Sequence, residues 1–225
     1  MAARGRLTVA AILVAAGDGL RLGAHVPKAF VPIASRTLLE HAAVRFVDHS
    51  LVRDVIVVAP AALVDVAHAL VPSARAVSGG RTRQESVSRG IAALAQDVDA
   101  VLVHDVARPF VTAEAITRVL DALEAGALAV IPALPVVDTI KEVDADSVVT
   151  RTLERGSLRA VQTPQGFRRD VLVAAHSSAG HGAAVDDATL AERNGVSVLV
   201  VPGAPEALKI TSPHDLAWAE WMARR

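Results

Sequence analysis

The chain of 225 residues contains no cysteine and no tyrosine, and aromatic residues make up only 3% of it. The absence of cysteine excludes disulfides and thiolate metal ligands. Apolar residues nevertheless reach 52% of the sequence, so a sizeable core must be built mainly from Ala, Val, Leu and Ile. This composition predicts helices that pack closely on a sheet rich in Val.

Charge imbalance and long apolar runs are absent as well. The formal net charge is −1 at pH 7, so the bulk charge predicts binding neither to nucleic acid nor to a membrane surface. No apolar run approaches the ~20 residues of a membrane-spanning helix, and the short run at 9–16 lacks a signal-cleavage pattern. The eight histidines include no His-x-x-x-His pair, so no zinc site is predicted. We expect a cytoplasmic protein.

Short apolar runs alternate with segments of helical periodicity. Apolar residues at consecutive positions predict buried strands at 9–14, 55–59, 74–77, 100–104, 128–132 and 196–201. Thr37 and Ser212 each begin a pattern typical of a helix N-terminus, and Gly195 is placed to end a short helix. The alternation predicts an α/β fold, a Rossmann-like and mostly parallel sheet with helices on both faces.

Residues 136–160 interrupt this alternation. Two β-like runs, at about 139–143 and 147–153, flank Asp144-Ala145-Asp146, which predicts an inserted antiparallel hairpin. An isolated hairpin is only marginally stable in water, so we expect another surface to cover it, and a second subunit is the simplest candidate. The sequence therefore predicts one domain, residues 1–225, with an inserted β-arm at 136–160.

A loop of small residues follows the first predicted strand. Missing side chains let backbone N–H groups approach an anion, and the small residues are Ala15, Ala16, Gly17 and Gly19. Arg21 and Lys28 add positive charge. The loop lacks the third glycine of a dinucleotide-binding motif and the Gly-Lys-Ser/Thr end of a P-loop. It suits a nucleoside triphosphate, and the alternative is an ordinary turn with solvated basic residues.

Three further clusters follow predicted strands. Gly80 permits close backbone approach and Ser86 offers a hydroxyl, although a capped strand–helix turn would explain both. Asp105 can hold Mg²⁺ or a ribose hydroxyl and Arg108 can hold a phosphate, unless the two simply pair with each other. Lys209 lies among apolar neighbours and loses hydration unless it meets an anion; the alternative is an ammonium group that extends to solvent.

These motifs resemble those of one family, in the same order from residue 9 to residue 216. The loop with Arg21 and Pro27-Lys28 is similar to the signature loop of nucleotide-sugar and polyol-phosphate nucleotidyltransferases. Gly-Gly-x-x-Arg-x-x-Ser-Val at 79–87, His-Asp-Val-Ala-Arg-Pro at 104–109 and Leu-Lys-Ile-Thr-x-Pro-x-Asp-Leu at 208–216 resemble the 2-C-methyl-D-erythritol 4-phosphate cytidylyltransferases. The sequence departs from the family pattern at Val14, Ala29 and Val106.

The resemblance implies a reaction and a nucleotide site. CTP and methylerythritol phosphate would give CDP-methylerythritol and pyrophosphate, with Mg²⁺ or another divalent cation held by Asp105. The residues that the resemblance makes catalytic are Arg21, Lys28, Asp105 and Lys209. Those that it places around the nucleotide are Ala15, Ala16, Gly17, Gly19, Gly80, Ser86, Asp105 and Ala107.

The resemblance also implies an acceptor site shared by two subunits of a homodimer. Its residues are Arg108, Thr139, Arg155, Thr163 and Lys209. Thr139 and Arg155 lie on the arm and would grip the acceptor in the partner's site, whereas Thr163 would contact it within its own subunit. The acidic pair Asp186-Asp187 is similar to one that the family keeps near this pocket, although Asp186 could equally cap a helix.

Three other functions remain open at this point. A ribitol-5-phosphate cytidylyltransferase would share the small-residue loop and the Asp105–Arg108 motif, whereas Arg155 and Thr163 favour methylerythritol phosphate. A catalytically silent CTP sensor would need binding but no stabilisation of transition-state charge, and retention of the catalytic cations argues against it. The third alternative is an α/β scaffold protein without activity.

Overall fold

A computed structural model describes residues 6–17, 26–178 and 184–224. Within these ranges the strands are β1 (Val9–Val14), β2 (Pro32–Ile33), β3 (Arg36–Thr37), β4 (Asp54–Ala59), β5 (Arg75–Ser78), β6 (Ala100–Asp105), β7 (Ala129–Pro135), β8 (Lys141–Val143), β9 (Val149–Thr152), β10 (Arg159–Val161), β11 (Gln165–Arg168) and β12 (Val198–Pro202). The α-helices are α1 (Leu38–Val47), α2 (Val64–Leu70), α3 (Arg83–Ala92), α4 (Ala113–Glu124), α5 (Arg169–Ser178), α6 (Asp187–Arg193) and α7 (Pro213–Ala223).

Eight of the strands form one twisted, mostly parallel sheet. β1 pairs in parallel with β6 on one side and β4 on the other, and β5 lies beyond β4. β10 and β11 run antiparallel along one edge of β7, β11 fills the space between β7 and β6, and β12 lies parallel along the opposite edge of β7. The parallel strands therefore end at one edge of the sheet, where α/β proteins bind their ligands.

Helices cover both faces of this sheet, as the sequence predicts. Side chains of α1, α2 and α4 pack on one face and those of α3, α5 and α6 on the other. Gly90 lets α3 approach closely, because a Cβ there would lie 2.6 Å from Cγ2 of Ile12 on β1. Capping boxes begin α1 at Thr37 and α7 at Ser212, which confirms both predicted helix starts.

The six predicted strands are present, with shifts of up to three residues at their ends. The prediction that all of them are buried is wrong for the two outermost strands of the sheet. Leu199 and Val200 of β12 are 49% and 43% exposed, and Arg75 of β5 is exposed. An edge strand has a neighbour on one side only, so a run of apolar residues does not guarantee burial there.

The inserted arm is present as a hairpin of β8 and β9, with an irregular register between Glu142 and Val143. Four of its valines are exposed, from 52% at Val143 to 77% at Val137, whereas Val136 is half-buried. Arg159 and Ala160, which the sequence places in the insertion, pair instead with β7 in the central sheet. Among the described residues, no helix combines the length and apolarity needed to cross a membrane.

Candidate active site

A cavity of about 730 Å³ opens at the carboxyl edge of the sheet. Its walls come from the segments that follow β1, β5 and β6, together with Lys28 and the segment before α7. The sequence-predicted residues that line it are Ala15, Ala16, Gly17, Lys28, Gly80, Ser86, Asp105, Ala107 and Lys209. Gly19 and Arg21 lie outside the described residues. Motifs separated by nearly 200 positions therefore meet around one space.

The loop after β1 is held against the loop after β5. Ala15 donates its backbone N–H to the carbonyl of Val58 at 2.8 Å, which continues the strand into the loop. A Cβ on Gly79 would lie 2.5 Å from Cβ of Ala16 and 3.0 Å from Oγ of Ser86. The close packing therefore requires small residues at Ala16 and Gly79. Small residues also leave backbone N–H groups accessible to an anion.

Asp105 ends β6 and holds two cations. Lys209 donates to its Oδ2 at 2.7 Å and Arg83 donates from Nε to its Oδ1 at 3.1 Å, while the carboxylate is only 14% exposed. Burial alone would raise the pKa of Asp105, but the charges and hydrogen bonds of Arg83 and Lys209 outweigh it and hold that pKa well below its usual range. Asp105 is therefore a fixed negative charge at neutral pH.

The anion that Lys209 meets is thus Asp105, which supports the sequence argument that this lysine needs a negative partner. The segment of Lys209 is fixed by the next residue, because Ile210 donates its N–H to the carbonyl of Ala107 at 2.8 Å. The Lys209 side chain remains 40% exposed at the cavity. Lys28 begins a short 3₁₀ helix, Lys28–Phe30, and lines the same cavity.

Arg83 lines the cavity, and the sequence analysis did not predict it as a site residue. It belongs to the Gly-Gly-x-x-Arg-x-x-Ser-Val motif, yet the motif by itself gave it no role. Its Nη2 forms an ion pair with Oδ2 of the buried Asp187 at 2.8 Å. A basic residue that opens a helix directly after a strand end is the signal that could have identified it.

Ser86 and Thr163, which the sequence predicts to contact ligands, are both buried, and their hydroxyl groups form hydrogen bonds within the protein. Ser86 is 1% exposed, donates to the carbonyl of Thr82 at 2.9 Å and accepts from the N–H of Gly80 at 3.1 Å. The turn before α3 is therefore also the capped strand–helix turn of the alternative interpretation. Thr163 is 6% exposed and accepts from the backbone N–H of Asp105 at 3.1 Å.

The hydroxyl group of Thr163 also contacts a buried histidine, His104. His104 Nδ1 lies 2.9 Å from Thr163 Oγ1, and its Nε2 lies 3.1 Å from the carbonyl of Arg108. The carbonyl only accepts, so Nε2 carries the hydrogen and Nδ1 accepts from the Thr163 hydroxyl. Burial lowers the pKa of His104 to about 4, so the ring is neutral at pH 7. Thr163 is therefore a support for the Asp105 backbone.

Arg108 does not pair with Asp105, so the simple ion pair is not formed. It donates to the carbonyls of Ala207 at 2.8 Å and Val161 at 3.0 Å, and burial lowers its pKa. It thereby ties the end of β6 to β10 and to the Lys209 segment. The structure places Arg108 and Thr163 beside the cavity lining, and their contact with an acceptor stays a prediction.

The arm residues Thr139 and Arg155 do not line the cavity of their own chain. Thr139 and Arg155 are exposed, and Arg155 donates to the carbonyl of Val137 at 2.8 Å at the base of the arm. In the acidic pair, Asp186 caps α6 by accepting from the N–H of Thr189 at 2.9 Å. Its neighbour Asp187 is 1% exposed and reaches the site only through Arg83.

Comparison with known proteins agrees with this geometry. Residues 9–225 match the family described as IspD, 2-C-methyl-D-erythritol 4-phosphate cytidylyltransferase. The chain is 48% identical to the enzyme of that name from Saccharopolyspora erythraea, over 95% of this chain and 98% of the relative, and 48% identical to that from Frankia casuarinae, over 96% and 82%.

Solved structures agree with the sequence relatives. The chain resembles 2-C-methyl-D-erythritol 4-phosphate cytidylyltransferase from Thermus thermophilus with a TM-score of 0.80 and 38% identity, covering 98% of this chain and 100% of that one. It resembles 4-diphosphocytidyl-2C-methyl-D-erythritol synthase from Anaerococcus prevotii with a TM-score of 0.86 and 29% identity, covering 97% and 99%. The chain therefore belongs to the 2-C-methyl-D-erythritol 4-phosphate cytidylyltransferase family.

Proposed function

We infer that the protein transfers the cytidylyl group of CTP to 2-C-methyl-D-erythritol 4-phosphate in the non-mevalonate route to isoprenoids. Family membership supports the two substrates. The observation that carries the inference is the convergence of Lys28, Asp105 and Lys209 on one cavity behind a loop of small residues. Such a cavity can hold a triphosphate by backbone N–H groups and cations together.

The chemistry needs positioning and cations more than a base. A phosphate monoester has a second pKa of about 6 and is mostly a dianion at neutral pH, so its oxygen can attack the α-phosphorus of CTP directly. The bond from the α-phosphorus to the oxygen of the β-phosphate breaks, and pyrophosphate leaves without a proton transfer. Lys28 and Lys209, which both line the cavity, would stabilise the charge that gathers on the transferred and leaving oxygens.

A divalent cation is part of the proposal. Nowhere in the described part of the chain do three or more His, Asp or Glu side chains gather as a metal cage. Mg²⁺ is often held by one or two carboxylates together with substrate phosphates, and Asp105 at the cavity wall fits that arrangement. When bound there, Mg²⁺ would neutralise negative charge on the triphosphate.

Pyrophosphate release tests the proposal directly. The assay supplies CTP with methylerythritol phosphate or with ribitol 5-phosphate, each in Mg²⁺ and in EDTA. We expect release with methylerythritol phosphate in Mg²⁺ only. Preferred turnover of ribitol 5-phosphate would favour the other cytidylyltransferase, and CTP binding without release from either mixture would favour a sensor. Cytoplasmic location stays a prediction from the sequence.

A homodimer in which each arm completes the partner's site is also proposed. Support comes from the exposed valines of the arm and from Thr139 and Arg155, which are exposed and do not line the cavity of their own chain. A complementation experiment tests it by co-expressing Lys28→Ala and Arg155→Ala subunits with different tags. If the arm serves the partner, each mixed dimer regains one intact site, and about a quarter of all sites become active in a random mixture. If mixed dimers are as inactive as the two parents, the arm does not serve the partner.

A further inference from the structure

A row of polar side chains leads from the cavity into the protein between α3, α5 and α6. Arg83 contacts Asp105 through Nε at 3.1 Å and Asp187 through Nη2 at 2.8 Å. On the far side of Asp187, Nε2 of His176 lies 2.9 Å from its Oδ1. Side-chain exposure falls from 28% at Arg83 to 1% at Asp187 and 4% at His176, so the row ends in the interior.

Arg83, Asp187 and His176 each lie on a different helix. Arg83 begins α3, Asp187 begins α6 and His176 lies on α5. A carboxylate only accepts, so Nε2 of His176 donates to Asp187. The other ring nitrogen, Nδ1, lies 3.0 Å from Oγ of Ser88, again on α3. The position of the Asp187 carboxylate is therefore fixed by groups that do not reach the cavity.

The consequence for Arg83 is that its guanidinium is held at two points by two anions. A planar guanidinium with Nε on one carboxylate and Nη2 on another has little freedom to rotate. Lys209 holds the remaining oxygen of Asp105, and in the proposed function its ammonium group would turn to the triphosphate. When it does, one oxygen of Asp105 becomes available to the ligand, and Arg83 alone must keep the carboxylate in place.

We propose that Asp187 and His176 are positioning residues, which hold Arg83 so that Asp105 keeps its orientation after Lys209 turns to the nucleotide. The inference rests on the proposed function. A purely structural role makes a different prediction, because a buried ion pair can often be replaced by apolar residues without loss of the fold. A structural role would thus lower stability but leave the turnover of the folded enzyme unchanged.

The test is a double-mutant cycle between His176 and Arg83. His176→Leu, His176→Gln and Arg83→Met are made singly, and His176→Leu is also combined with Arg83→Met. The control is His49→Leu, because His49 is also nearly buried, at 9% exposure, but bonds Thr117 away from the site. Pyrophosphate release gives kcat and KM for both substrates, calorimetry gives Kd for CTP, and circular dichroism checks that each variant is folded.

We expect His176→Leu to lower kcat/KM about tenfold, the scale at which outer partners of site residues act. His176→Gln can still donate to Asp187 and should recover most of the loss, and His49→Leu should keep the native kcat. In the Arg83→Met background His176→Leu should add almost nothing, because its effect passes through Arg83.

Two results would overturn the inference: native kcat/KM and CTP affinity in folded His176→Leu, or effects of His176→Leu and Arg83→Met that multiply as if independent. The isosteric Asp187→Asn repeats the comparison if His176→Leu does not fold. A native enzyme that binds CTP but releases no pyrophosphate would contradict the proposed function instead, and the cycle would then be decided on Kd for CTP.

Discussion

Removing the charge of Asp105 should destabilise the unliganded protein and abolish most of its activity. Asp105→Asn keeps the size of the side chain but leaves Arg83 and Lys209 without their shared anion. Hydrogen bonds to charged groups contribute about 1.5–3 kcal/mol each. In the variant the ammonium group of Lys209, which is 40% exposed, can be hydrated by water. Arg83 retains its ion pair with Asp187. We therefore expect a loss of about 2–3 kcal/mol in the free energy of unfolding, at or below the lower end of the roughly 3–6 kcal/mol that the two bonds would contribute together.

The predicted loss depends on pH in a defined direction. The pKa of Asp105 is depressed in the folded protein, so its contribution is fully present above the unfolded value of about 3.9 and is lost as pH falls towards the folded pKa. The difference in unfolding free energy between the native protein and Asp105→Asn should therefore be constant from about pH 5 to about pH 8. Below about pH 4 it should shrink.

Urea unfolding followed by circular dichroism measures this difference. A loss of about 2–3 kcal/mol corresponds to a fall in Tm of about 4–12 °C for a chain of this size. Asp97→Asn is the matched control, because Asp97 forms a two-point pair with Arg53 at 2.6 and 2.8 Å but is well exposed, and we expect no measurable change there. Native stability of Asp105→Asn, or a difference that stays constant down to about pH 3, would refute the reasoning.

Three further predictions concern the cavity and its supports. Lys28→Ala should fold normally but lower turnover by about 10²-fold, since it removes one cation from the transition state; native kcat in a pyrophosphate-release assay would exclude Lys28 from catalysis. Thr163→Val should leave Nδ1 of the buried His104 without a donor and reduce unfolding free energy by about 1–3 kcal/mol, measured in urea, whereas native stability would mean that the hydroxyl is dispensable. Gly79→Ala should push its new Cβ against Ala16, lowering stability by about 1–3 kcal/mol and weakening CTP binding in calorimetry; native Kd would show that the loop after β1 can shift freely.

Much of the fold follows from local sequence patterns. The strands near the centre of the sheet are marked by consecutive apolar residues, and the starts of α1 and α7 by capping boxes that depend on contacts three residues apart. β11 was not predicted, because Gln165 and Arg168 break the apolar pattern. Gly166 is needed where the side chain of Val119 packs against β11, and that contact joins positions distant in sequence.

The sequence predicted most members of the candidate site, but neither Arg83 nor the pairing of the charged side chains. Sequence motifs identified Asp105 and Lys209, and they assigned Asp105 to Mg²⁺ or a ribose hydroxyl, with an ion pair to Arg108 as the alternative. The observed partner, Arg83, comes from a different strand–helix connection, 22 residues earlier in the chain. Pairings between such connections depend on strand order in the sheet, which local patterns do not determine. The pairing of Asp187 with Arg83 and His176 could not be predicted for the same reason.

The close packing of α3 on β1 at Gly90 has a practical consequence for redesign of the acceptor. The wall that carries Arg83 and Ser86 cannot retreat or advance without disturbing the Ile12 contact, so enlarging the cavity from that side would sacrifice the core. Lys209 lies in a stretch without regular secondary structure, in which Ala207 and Ile210 are buried but Leu208 is 39% exposed. Libraries meant to admit bulkier alcohol phosphates should therefore vary the exposed positions beside Lys209, keep the lysine and its buried neighbours, and leave α3 untouched.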